Sequence, residues 1–94
     1  MDMSKVSHCD ISECSYNSSG MCHALAITIG DSDTPNCDTF CSSQAKGGDM
    51  NATAGVGACK TSTCMHNVSL ECQASNIRVG YKGGEVDCLT FKPQ

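Results

Sequence analysis

The amino-acid sequence predicts a small β-rich protein made of two tandem four-cysteine modules, with little hydrophobic core and with metal ions or disulfides as its main stabiliser. Three observations lead there. The chain repeats itself at a spacing of fifty residues, eight of its nine cysteines fall at matched places in the repeat, and its 94 residues include two Phe, two Tyr and no Trp. A chain this short and only 39% hydrophobic cannot bury a large core. Halving it sharpens the shortage, because units of about 40 residues need cross-links, a metal or oligomerisation to offset chain entropy.

The repeat is read directly. Cys9, Ser12, Cys14, Asn17, Ser19, Cys22, Ala24, Ile27 and Gly30 recur as Cys59, Ser62, Cys64, Asn67, Ser69, Cys72, Ala74, Ile77 and Gly80. After one inserted residue, Cys37-Asp38-Thr39-Phe40 matches Cys88-Leu89-Thr90-Phe91. Residues 1–41 therefore form a first module and 58–94 a second. Between them, residues 42–57 are small, polar and glycine-rich, the composition of a flexible linker.

Within each module the elements follow in parallel. Asn17 and Asn67, between the second and third cysteines, suit a turn that needs a left-handed residue. Residues 24–29 and 75–79 are β-branched with partial alternation and predict a strand, which Gly30 or Gly80 would end. The stretches 31–36 and 81–87 predict a hairpin loop, with Gly83-Gly84 as the turn of the second. The last cysteine then lies on a returning strand that finishes in Thr-Phe. No amphipathic helix of useful length is visible.

Four cysteines per module permit two disulfides, in three connectivities, or one all-thiolate metal site. The N-terminal residues contain no apolar run of signal-peptide length before Cys9, so the expected compartment is the reducing cytoplasm, where metal is favoured over disulfide. Zinc is commonly held by four thiolates in closed structural sites. The expected ligands are Cys9, Cys14, Cys22 and Cys37 for one ion and Cys59, Cys64, Cys72 and Cys88 for another, two zinc ions per chain. Histidine is not expected among them: His8 and His23 have Ala58 and Gln73 as counterparts, and His66 faces Tyr16. Structural zinc in small peptides contributes on the order of 10–16 kcal/mol, more than these sparse apolar residues can supply. A closed four-thiolate site leaves no position for a substrate water, so catalysis by the metal is not expected.

The remaining residues carry weaker signals. Cys41 has Lys92 as its counterpart, which leaves it as a spare thiol or as a link between chains. Phe40 and Phe91 read as core anchors, and Thr39 and Thr90 as hydrogen-bonding partners of the coordinating sulfur. The glycosylation sequons at Asn17, Asn51 and Asn67 matter only in a secreted eukaryotic chain. Residues 1–41 hold six acids and one Lys, whereas 58–94 hold four bases and three acids. That acidic first half and the few aromatics count against nucleic acid binding, and no stretch is long and apolar enough to span a membrane. No nucleophile with its base, phosphate loop or acid pair appears, so neither an enzyme nor a small-molecule substrate is expected.

The frame Cys9-x4-Cys14-Ser15-Tyr16-Asn17, Cys22-x-Ala24-x-x-Ile27-x-Ile29 and Cys37-x-Thr39-Phe40 resembles the cysteine-rich family known as domain of unknown function 1540. Both copies match, the second departing at Met65-His66 where the first has Ser15-Tyr16. The resemblance implies a bacterial origin, largely anaerobes and spore formers, and assigns no activity. The expectation is thus a zinc-binding structural or protein-interaction protein, with a protein partner or self-association. Its alternative is a disulfide-stabilised, self-assembling protein of a spore or cell surface, joined through Cys41.

Overall fold

The protein is described from a computed structural model, which covers residues 3–30 and 34–93. Nine strands follow in order: β1 (Lys5–Cys9), β2 (Asn17–Ser18), β3 (Met21–Cys22), β4 (Ala26–Ile29), β5 (Gly55–Cys59), β6 (Asn67–Val68), β7 (Glu71–Cys72), β8 (Asn76–Lys82) and β9 (Glu85–Cys88). Among the described residues there is no helix, and none therefore long and apolar enough to cross a membrane.

Five strands form one sheet in the order β4-β5-β1-β8-β9. That order crosses the repeat. β1 runs parallel to β8, with Val6 beside Ile77 and Cys9 beside Val79, while β5 runs parallel to β4, with Val56 beside Ile27 and Cys59 beside Ile29. Each module's first strand thus pairs with the other module's post-cysteine strand. At the centre β1 and β5 meet antiparallel, Lys5 opposite Gly55, and two equivalent bonds close the junction: Val6 N–H donates to Ala54 O at 2.9 Å and Val56 N–H to Ser4 O at 2.8 Å. A local twofold relation between the copies runs through this point.

The crosswise pairing explains how so few apolar residues make a core. Val6, Ile27, Val56 and Ile77 all lie at 2% exposure or less, and they come from both copies. Alone, either module would leave its branched residues on an open strand edge. Together they form one buried cluster with Ile11, Ile29, Val79 and five of the cysteines. At about 25 cal/mol per Å² of apolar surface removed from water, this shared burial stabilises the pair and neither half separately.

Several local expectations are revised. Asn17 and Asn67 lie in β2 and β6, and the left-handed positions are Ser19, Gly20, Ser69 and Leu70. The asparagines act by side chain: Asn17 Nδ2 donates to Cys9 O at 2.8 Å and its Oδ1 accepts from Gly20 N–H at 3.3 Å, and Asn67 repeats this with Cys59 O at 2.7 Å and Leu70 N–H at 3.1 Å. Gly80 does not end its strand but lies within β8, opposite Asp87. Its role, like that of Gly30, is close approach. A Cβ at Gly30 would stand 2.8 Å from Lys60 Cβ, and one at Gly80 2.7 Å from Leu89 Cδ1 and 2.9 Å from Asp10 Oδ2, so Gly30 lets the other copy's chain pass and Gly80 admits side chains from both copies.

The last cysteine is framed differently in the two copies. In the second, β8 and β9 form a hairpin turning at Gly83 and Gly84, with φ of 60° and 82°. In the first, a single bridge joins Ile29 to Cys37, and the intervening loop at 31–33 lies outside the described residues. Residues 42–57 also differ from a free linker. Their last three belong to β5, and the stretch before them is tied to the first module by backbone bonds: Gly47 N–H to Ser15 O at 3.0 Å, Asp49 N–H to His23 O at 2.8 Å and Ala54 N–H to Cys22 O at 3.0 Å. A Cβ on Gly48 would strike the His23 carbonyl, so the segment lies hard against the module.

Candidate metal centres

Both cysteine quartets are assembled by the same local devices. The first cysteine ends the strand at the sheet centre and donates its N–H to the hairpin tip, Cys9 to Gly20 O at 2.9 Å and Cys59 to Leu70 O at 2.8 Å. A tight turn follows, closed by Cys14 N–H to Ile11 O at 3.1 Å and by Cys64 N–H to Thr61 O at 3.0 Å. The short β2–β3 and β6–β7 hairpins then bring the third cysteine back, with Asn17 opposite Cys22 and Asn67 opposite Cys72. The fourth cysteine arrives from the far edge: Cys37 N–H donates to Val86 O at 2.8 Å, and Cys88 closes β9 opposite Val79.

The result is one small cavity per quartet. Cys9, Cys14, Cys22 and Cys37 line the first, of about 10 Å³, and Cys59, Cys64, Cys72 and Cys88 the second, of about 20 Å³. Either has room for about one ion- or water-sized body. The walls are drawn from both copies: Val79 and Val86 of the second module border the first cavity, and Ile29 and Pro35 of the first module border the second. All eight sequence-predicted residues therefore border one cavity or the other, four to each. None of the nine cysteines is in a disulfide. Among the described residues, no three His, Cys, Asp or Glu side chains are already drawn together as a closed ligand set.

The electrostatics of the thiols follow from burial. Desolvation pushes the Cys37 thiol up to about 12 and the Cys88 thiol up to about 11, against an ordinary value of 9.0, and it raises Cys22 as well. In each case a backbone N–H two residues on, from Thr39, Thr90 or Ala24, hydrogen-bonds to the sulfur and pulls the other way. The neighbouring thiols of the same quartet add a smaller upward push. Four sulfurs that would repel one another as thiolates in a dry pocket, with amide dipoles already offered to Cys22, Cys37 and Cys88, are a donor set that a soft divalent cation would satisfy.

Other candidates resolve into structural parts. Thr39 and Thr90 act on sulfur through the backbone rather than the hydroxyl. Thr39 Oγ1 instead accepts from Thr28 N–H at 3.1 Å, and Thr90 Oγ1 from Arg78 N–H at 3.0 Å, tying the end of each module to its strand. Phe40 and Phe91 are half-buried and border their own cavities. His8 pairs with Asp10 at 2.7 Å, and His23 Nδ1 lies 2.8 Å from Ala52 O, on the interdomain segment. His66 does border the second cavity, as does Thr61. Cys41 is exposed and outside both quartets; its carbonyl accepts from Ser15 N–H at 2.7 Å. No local signal marks Val79 or Ile29 as cavity walls, because nothing in a repeat announces that its copies will exchange strands.

Fold and site together define a tandem, cysteine-centred β protein. The chain belongs to the family described as Domain of Unknown Function (DUF1540), whose profile matches residues 8–43 and 58–91, one copy each. No curated protein and no solved structure matches it.

Proposed function

We propose that this protein is a non-enzymatic zinc-binding structural or protein-interaction protein of the bacterial cytoplasm, with one four-thiolate site per repeat. The observation that carries the reading is the convergence of each quartet on its own ion-sized cavity. Amide hydrogen bonds to Cys22, Cys37 and Cys88 sulfur support it, since such bonds stabilise thiolate over thiol. Zinc held by Cys9, Cys14, Cys22 and Cys37, and again by Cys59, Cys64, Cys72 and Cys88, would supply charge neutralisation and tetrahedral cross-linking in place of a larger core. With four protein ligands there is no open position for hydrolysis.

Native mass spectrometry of untagged protein prepared anaerobically tests this, with two zinc ions per chain expected. Protein carrying no metal and all quartet thiols oxidised would overturn it. The exposure of Cys41 favours a second reading, a self-assembling disulfide-stabilised protein of a spore or cell surface. On a non-reducing gel that reading requires thiol-sensitive multimers, whereas the zinc reading requires a monomer that yields its metal to a chelator.

A further inference from the structure

We propose that the two quartets are functionally unequal: the second is an exchangeable metal site in which His66 serves as an incoming ligand, and the first retains its ion. This rests on the zinc-binding reading and goes beyond it, since it assigns metal transfer to one site and a role to a histidine outside the cysteine set.

The argument starts from paired positions. The copies share their cysteines, but the side chains beside them differ. Where the first cavity has Ile11 and Tyr16, the second has Thr61 and His66. Ile11 is fully buried and offers no donor. The Thr61 Oγ1 atom is buried at the second cavity and, among the described residues, has no hydrogen-bond partner, a costly arrangement in an apolar setting. Leaving a four-thiolate site requires that another donor enter as a thiolate departs. Both cavities have hydroxyls on their walls, but among the described residues only the second has an imidazole there for that purpose.

The covers differ in the same sense. In the first copy, residues 42–54 bond to the Ser15, Cys22 and His23 carbonyls, and Lys46 Nζ donates to Asn17 O at 3.0 Å. Cys22 is buried beneath them. Its counterpart Cys72 is half-buried, and the adjoining Met65 is 58% exposed. The first quartet also has a half-buried member, Cys37, but that residue is fixed on both sides by its bonds to the sheet, at Val86 and across to Ile29. Cys72 instead ends a two-residue strand on an uncovered hairpin.

The exchange step balances simply. Cys72 would give up its place as a sulfur donor and His66 would offer a ring nitrogen lone pair in that place, one donor pair for another, and an external thiol or imidazole acceptor would complete removal with no electron changing hands.

The test uses the full chain loaded with ¹¹³Cd, whose two resonances are assigned to their cysteines through coupling to the Cys β protons. On adding excess EDTA, the ion coupled to Cys59, Cys64, Cys72 and Cys88 is expected to leave about tenfold faster than the other, the scale on which groups beside a metal site alter its hold. His66→Tyr with Thr61→Ile, which copies the first cavity, should erase that difference, and Tyr16→His should speed loss from the first site. Equal rates in the unaltered protein, or faster loss from the Cys9 set, overturn the proposal while leaving zinc binding intact. An unchanged rate in His66→Tyr overturns the role of His66. A chain that takes up no cadmium overturns this proposal together with the reading beneath it.

Discussion

In the first copy Asn17 is buried and its hairpin lies beneath residues 42–54, whereas in the second copy Asn67 makes the same pair of hydrogen bonds from a half-exposed position. The difference extends along the whole hairpin. Met65, Val68 and Leu70 are all more than half exposed, where the first copy has Ser15, Ser18 and Gly20. The backbone bonds of the short hairpin are therefore duplicated, and the covering is not. What two copies of one motif hold in common is what the fold requires, and the parts that diverge are those released from that requirement by an extra segment of chain.

The largest expected effect treats the copies alike. On the proposed zinc reading, stripping metal from anaerobic protein with a chelator should collapse both modules in one transition, because structural zinc contributes on the order of 10–16 kcal/mol, as much as the ~5–15 kcal/mol by which whole domains are stable. Amide chemical-shift dispersion is the measurement. Survival of a folded second half would break the picture of one shared sheet. Any structure that persists in the reduced, metal-free chain should also weaken in alkali. The folded state holds the Cys37 and Cys88 protons up to about 12 and 11, while an unfolded thiol gives its proton up near the ordinary value of 9.0. Stability is then complete below about pH 9 and declines as the pH rises toward 11 and 12, since the folded form binds more protons across that window. Metal-loaded protein should respond oppositely at lower pH, as ligation demands deprotonated sulfur.

Next come the core pairs. Ile27→Ala and Ile77→Ala should each cost about 2–5 kcal/mol, and each should lower a single urea midpoint seen by probes in both modules. Two separable transitions would show that the copies unfold on their own. A smaller effect sharpens the contrast. Asn17→Ala leaves the Cys9 carbonyl unpaired in a buried place and should cost about 1–3 kcal/mol, whereas Asn67→Ala should cost less because solvent reaches the vacated partner. The smallest change runs the other way. Leu70 has φ of 66° where the first copy has Gly20, a strain of roughly 1–2 kcal/mol for a residue with a side chain, so Leu70→Gly should raise stability by about 1 kcal/mol or less after its unfolded-state entropy is counted. Thermal melting decides it.

Much of this was legible in the sequence, for reasons that can be named. The fifty-residue repeat exposed the quartets, and matched positions removed the histidines from the common set. Branched runs located β4 and β8 because period-2 burial leaves its mark on a strand. The crossing was invisible. The short runs around Val6 and Val56 do not announce β1 and β5, Val56 falling in a stretch of linker composition, and a parallel partner from the other copy has no local signature, so residues 1–41 and 58–94 read as separate units when they complete each other's sheet. Gly80 misled for a related reason: a glycine required by a neighbouring chain's approach looks, in one dimension, like a glycine that ends an element. The asparagines misled through chemistry, since the residue type that tolerates a left-handed backbone is also the one that clamps a loop with its amide. Residues 42–57 had a linker's composition, and small side chains served equally for lying flat on the first hairpin.

The meeting of β1 with β8 and of β4 with β5 bears on how such a molecule can be assembled at all. A polypeptide bearing one copy would have to find a second polypeptide before its sheet could close, and its folding would weaken on dilution. Joining the copies through a short tether replaces that search with an effective concentration in the millimolar range. The duplication thus turns a bimolecular event into an internal one, and folding proceeds even when the chain is scarce.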